Sequence, residues 1–102
     1  MQVLRALAAT LIDSAAGPAT VYLFGSYARG DATANSDIDI LVVERGLRDW
    51  LAETVRLRRV VRAGIDKEVD LIVMGAEDWH KWRKHQGTVQ HAVATEGVRI
   101  GG

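Results

Sequence analysis

Val3, Leu4, Leu7, Ala8, Leu11 and Ile12 recur at steps of three and four, which gathers them on one face of a helix that Gly17-Pro18 ends. Ala19 to Phe24 is short, apolar and partly β-branched, and it stops at Gly25, the pattern of a buried strand. One or two helical turns fit between Ser26 and Asp31, and Thr33-Ala34-Asn35-Ser36 reads as a loop. Asp37 to Val43 alternates and then turns wholly apolar, as in a central strand whose first residues lie at the edge of a sheet and whose remainder is covered. From Leu47 to Ala63 the spacing predicts a helix with Leu47, Trp50, Leu57 and Val61 in one arc, Trp50 as core, and Arg56, Arg59 and Arg62 on another, solvated side. Gly64 is its stop. Lys67 to Met74 alternates again, with Val69, Leu71 and Val73 on one face and Glu68, Asp70 and Ile72 on the other. Glu77 to Lys84 and Val89 to Glu96 fit helices, and Val98 to Ile100 fits a last short strand.

Strands alternating with helices in so short a chain predict an α/β or α+β sandwich, a sheet of about three or four strands with helices on at least one face. The connection from Gly25 to Ser36 is too short for a long crossover helix and suits a tight turn. With 102 residues the expectation is a single domain over residues 1–102. There is no cysteine, which excludes a disulfide framework and cysteine-ligated zinc. Thirteen basic residues balance thirteen acidic ones, so the composition carries no electrostatic footprint for sequence-independent nucleic-acid binding. No apolar run approaches a membrane span and no signal peptide is recognisable, which leads us to expect a reduced, cytoplasmic setting.

The chemistry concentrates in Leu23-Phe24-Gly25-Ser26-Tyr27-Ala28-Arg29-Gly30 and, after a loop, Ser36-Asp37-Ile38-Asp39-Ile40-Leu41-Val42. Gly25 lacks a Cβ, so the backbone can turn sharply at the strand end and a bulky anion can approach it. Ser26 follows at a helix start, where free N–H groups and its hydroxyl suit phosphate oxygens. Asp37 and Asp39 are two apart on a strand, so both leave the same face, with Cα atoms roughly 6.5 Å apart. Asp70 completes a carboxylate cluster if its strand is the neighbour. Carboxylates so close repel one another, and one or two Mg²⁺ ions would relieve the repulsion with a shell of hard oxygen ligands and substrate phosphates. A phosphate seat beside such a metal is equipment for in-line phosphoryl or nucleotidyl transfer. Gly-Ser, ten residues, then Asp-x-Asp arises by chance in about 10⁻³ of chains this long.

These segments resemble the signature of the minimal nucleotidyltransferases, small members of the DNA polymerase β-like nucleotidyltransferase superfamily. The likeness is strong over residues 20 to 45, reaches Val69-Asp70-Leu71-Ile72-Val73 as the third acidic strand, and is looser from Gly87-Thr88-Val89 through Glu96-Gly97-Val98. It implies the small nucleotidyltransferase fold, with Gly25 and Ser26 holding the triphosphate of ATP and Asp37, Asp39 and Asp70 holding Mg²⁺. By the same resemblance Asp70 is placed to accept the acceptor's proton, and Arg29 and Ser36 support the nucleotide. It also implies a setting: such proteins are often paired with a HEPN-domain toxin, and several act as antitoxins by adding AMP to a tyrosine of that toxin. Two other readings stay open, a non-catalytic antitoxin that acts by binding and a transferase acting on a small molecule.

The remaining polar and aromatic residues suggest less. His80, His85 and His91 fit no common zinc spacing. Trp79 and Trp82 suit either a partner-facing patch or packing on the sheet. Glu68 shares a face with Asp70 as a strand-end residue, and Tyr27, beside the phosphate seat, is read as packing.

Overall fold

The computed structural model describes residues 1–102. Helix α1 (Gln2–Ser14) leads into strand β1 (Ala19–Phe24), the short helix α2 (Gly25–Arg29) and strand β2 (Ile38–Glu44). Helix α3 (Trp50–Gly64), strand β3 (Val69–Gly75), helices α4 (Ala76–Trp82) and α5 (Val89–Glu96), and strand β4 (Val98–Gly101) complete the chain. The strands form one sheet in the order β3-β2-β1-β4, in which β1 runs antiparallel to both β2 and β4 while β2 and β3 are parallel. This is the mixed α/β sheet that the alternation predicts. No helix is long and apolar enough to cross a membrane.

Period-two alternation sorts the strands onto two cores. Val21 and Leu23, Ile38, Ile40 and Val42, and Leu71 and Val73 face α1 and α3, where they meet Leu4, Leu7, Leu11, Leu57 and Val61. Leu41, Val43 and Met74 face the other way, onto Trp79 of α4 and Val93 of α5. Each fully buried aliphatic side chain contributes about 1.5–3 kcal/mol, so both layers hold the sheet between them.

Several boundaries differ from the expected ones for local reasons. Strand β2 begins at Ile38, so Asp37 lies one residue outside it. Strand β3 begins at Val69 rather than Lys67, because the parallel register opens at Ile38 opposite Val69. Helix α3 begins at Trp50 rather than Leu47 because the Asp49 side chain caps it, accepting the Ala52 N–H at 3.0 Å. Its buried face is Glu53, Thr54, Leu57 and Val61, which corrects the expected arc. Trp50 is not core: it sits at the helix start, past the edge of the sheet, 55% exposed, with Nε1 donating to the Val73 carbonyl at 2.7 Å. Val3 is likewise exposed, one step outside the buried face of α1. Trp79 is buried and Trp82 exposed, so each alternative holds for one of the pair.

Glu44, at the end of β2, occupies a core-facing seat with 1% exposure, and its Oε1 has no hydrogen-bond partner. Burial first, and then the hydrogen bond to Glu53 and its charge, push the Glu44 carboxyl up to about 7. Burial also pushes Glu53 up, but hydrogen bonds from Glu44, the Ala16 N–H (2.9 Å) and Arg56 outweigh it and hold Glu53 below the usual carboxylate range. Glu44 is therefore the protonated member of the pair, and together they tie the turn after α1 to β2 and α3. Its folded value exceeds the unfolded 4.5, so its contribution is complete below about pH 4.5 and is lost as pH rises to about 7. Glu44→Gln retains a donor toward Glu53 and removes the ionisation. We expect the variant to gain on the wild type across that window and to be more stable at pH 8 by roughly 1–3 kcal/mol. Melting both proteins from pH 4.5 to 8.5 checks this, and parallel curves would sink it.

Candidate active site

The register brings the acidic strand positions together. Asp39 pairs with Asp70 across the parallel β2–β3 ladder, and with Phe24, the last residue of β1, on the antiparallel side. Because Ile38 and Ile40 face α1 and α3, Asp39 and Asp37 before it face the opposite side, and Asp70, between the core residues Val69 and Leu71, faces it too. Asp39 is half-buried, while Asp37 and Asp70 are exposed. Burial raises the Asp39 carboxyl above its usual value, the charges of Asp70 and Asp37 raise it further, and the Arg29 guanidinium opposes them. The three acids thus share one electrostatic neighbourhood. As the side chains stand, no three Asp, Glu or His residues close on a single point.

Gly25 ties this cluster to the turn after β1. Its φ of +72° is left-handed, which swings the chain from strand into α2 at a residue with no steric cost for doing so. A side chain there would collide with Oδ2 of Asp39, so the missing Cβ is also the space the carboxylate occupies. Ser26 is half-buried in the first turn of α2, and its carbonyl accepts the Gly30 and Asp31 N–H groups at 3.0 and 3.1 Å, closing that turn on Gly30. Arg29 leaves the end of α2 with its Nε 3.4 Å from Asp31 and Nη1 3.8 Å from Glu96 of α5. Both contacts are exposed and weak, which leaves the guanidinium able to reorient. Ser36 is committed to its own loop: its Oγ accepts the Thr33 N–H at 2.9 Å, fixing the approach to Asp37.

The donor set is oxygen only and acidic, and the repulsion that raises Asp39 is what a hard divalent cation would reverse, so the residues fit Mg²⁺. Glu96, facing Arg29, and Lys67, whose Nζ lies 5.2 Å from the Tyr27 ring centroid, are neighbours of the site that sequence reasoning missed. Neither has a local signal, since each reaches its partner from a distant element. Tyr27 packs against the core as expected. Glu68 is exposed, with its carbonyl accepting the Ile38 N–H.

Gly25→Ala meets both the backbone penalty and the Asp39 carboxylate and should cost about 2 kcal/mol or more. Gly30→Ala, at φ +83° with nothing within 4 Å of a new Cβ, should cost only the backbone part, about 1 kcal/mol. Denaturant unfolding of both, alone and with Asp39→Ala, should show the excess at Gly25 vanish when the carboxylate is removed. Equal costs at the two glycines would remove the contact from the account. Separately, Asp39→Asn should raise the melting temperature of the metal-free protein and shrink the extra stabilisation given by Mg²⁺ with ATP. Unchanged melting in both conditions would mean the acids do not act as a cluster.

A family model described as "Nucleotidyltransferase domain" matches residues 5–94. The chain is 40% identical over 52 residues to the protein adenylyltransferase MntA of Shewanella oneidensis, a stretch covering 51% of this chain and 37% of that one. It is 46% identical over 50 residues to a candidate protein adenylyltransferase of Methanocaldococcus jannaschii, covering 49% of this chain and 53% of the relative. The matches thus span about half the length of these relatives or less. Among solved structures, a toxin–antitoxin with AMP-PNP is similar with a TM-score of 0.72 at 27% identity, over 100% of this chain and 74% of that chain.

Proposed function

The chain belongs to the nucleotidyltransferase domain family, and from that premise we propose that it moves AMP from ATP to a hydroxyl of a partner protein. The observation that carries this reading is the register that sets Asp39 opposite Asp70 and against Gly25. The names of the relatives, two protein adenylyltransferases and a toxin–antitoxin with AMP-PNP, favour ATP as donor and a protein as acceptor. The acceptor is a tyrosine of a HEPN-domain toxin, and the chain acts as its antitoxin.

Asp37, Asp39 and Asp70 would hold Mg²⁺. Bound there, the ion supplies positive charge to the triphosphate and to the departing pyrophosphate. The N–H groups at Gly25 and Ser26, with the Ser26 hydroxyl, bind phosphate oxygens and orient the α-phosphorus. Asp70, exposed at the edge of the cluster, accepts the proton of the acceptor hydroxyl as its oxygen bonds to that phosphorus. The bond from the same phosphorus to the bridging oxygen breaks, and pyrophosphate leaves. Arg29 tempers the accumulated negative charge, and Ser36 supports the site by holding the loop that delivers Asp37.

Incubating the chain with Mg²⁺, ATP and the proposed HEPN-domain partner should add AMP-sized mass to that partner, and Asp39→Asn should lower the rate at least a hundredfold. A folded toxin that forms the complex yet gains no mass would reject the transfer. Asp37→Ala separates chemistry from occlusion: if this variant still binds the toxin and still neutralises it, binding alone is the function.

A further inference from the structure

At the end of the sheet away from the acids, the carboxyl ends of the parallel strands β2 and β3 open on a cleft of about 1050 Å³. Arg45 and Arg48 follow Glu44, which is five residues or about 16 Å beyond Asp39 along β2, and the lining comes nearest the acids at Tyr22, whose strand partner Leu41 is two residues beyond Asp39. The arginines that follow β2 therefore lie apart from the acidic cluster.

Its lining has three chemistries. Arg45 and Arg48, from the loop after β2, and Arg83, just past α4, supply guanidinium groups, and none of the three is in an ion pair. Trp50 supplies an indole that is 55% exposed yet fixed in orientation by its bond to the Val73 carbonyl. Glu77 and Asp78, in the first turn of α4, supply carboxylate acceptors. A simple anion would use the arginines and be repelled by the acids, a cation would meet the reverse, and an apolar ligand would use neither. A mononucleotide uses all three: guanidinium groups take phosphate oxygens, an indole face takes a base, and carboxylates take the hydroxyls of a ribose.

We infer that this cleft is a second binding site, for a mononucleotide whose phosphate lies against Arg45, Arg48 and Arg83 and whose base lies over Trp50. It does not depend on the acids being catalytic, and its ligand is not the reacting nucleotide, since Asp37, Asp39 and Asp70 are at the other end of the sheet.

The test is a titration of the ¹⁵N-labelled chain with AMP in EDTA, read at the Trp50 indole N–H and the amides of Arg45 and Arg48. A saturable shift at these positions is expected. It should persist in Asp39→Asn and move to at least tenfold higher AMP in the double variant Arg45→Gln, Arg83→Gln. The melting temperature of the double variant verifies its fold, and the single variant Arg45→Gln, an exposed position, gives the same reading with a smaller change should the double variant fail to fold. No shift at Trp50, a response lost with Asp39→Asn, or an equal response to inorganic phosphate alone would each overturn the assignment.

Discussion

The parallel register of β2 against β3 is the constraint from which the site follows. Slipping β3 by one residue would turn Asp70 toward α1 and α3 and expel Leu71 and Val73 from the core they fill. Each such side chain is worth about 1.5–3 kcal/mol of burial, and the slip would add a desolvated carboxylate to the loss. Two carboxylates roughly 5 Å apart at an effective dielectric of about 20 repel by about 3 kcal/mol. Hydrophobic packing on the far face therefore outweighs the repulsion on the near one. The acids are held together by residues that never touch them.

The same strand shows what burial does to a carboxyl group. Asp39, near the start of β2, is half-buried, and the Arg29 guanidinium offsets the charges of its neighbours. Glu44, at the other end, extends the alternation of Ile38, Ile40 and Val42 into a fully covered seat where an aliphatic residue would be expected. There the cost of burial and repulsion is relieved by a proton, and the companion Glu53 takes the Ala16 N–H and Arg56. One end of β2 is thus arranged for exchange with solutes and the other for internal cross-linking.

What the sequence made legible were the features with a local period. Strands β1 and β2, the shared face of Asp37 and Asp39, and the Gly25–Ser26 turn follow from alternation and from one glycine, because a strand's side-chain direction is fixed residue by residue, whereas the place of Asp70 beside them waited on the β2–β3 register. Trp50 misled because helical spacing says which direction a side chain points but not whether the core extends that far, and the covered face of α3 begins only at Glu53. Asp49 was readable as a cap and would have moved the helix start to the right place. The Glu44–Glu53 pair, the Arg29–Glu96 approach and the cleft carry no such signal, because each joins elements whose proximity exists only once the sheet has formed.

Gly25 makes the turn after β1 and the acid cluster one unit. Its positive φ sends the chain into α2, and its missing side chain admits the Asp39 carboxylate. An Asn could supply the first property, since it tolerates the left-handed region, but not the second, since it carries a Cβ. A substitution that pushed Asp39 aside would alter its distance from Asp70 and Asp37 and so the charge available for a cation. The two halves of the site therefore cannot drift apart in sequence independently. Whatever binds at the turn and whatever binds at the acids are positioned by the same few atoms.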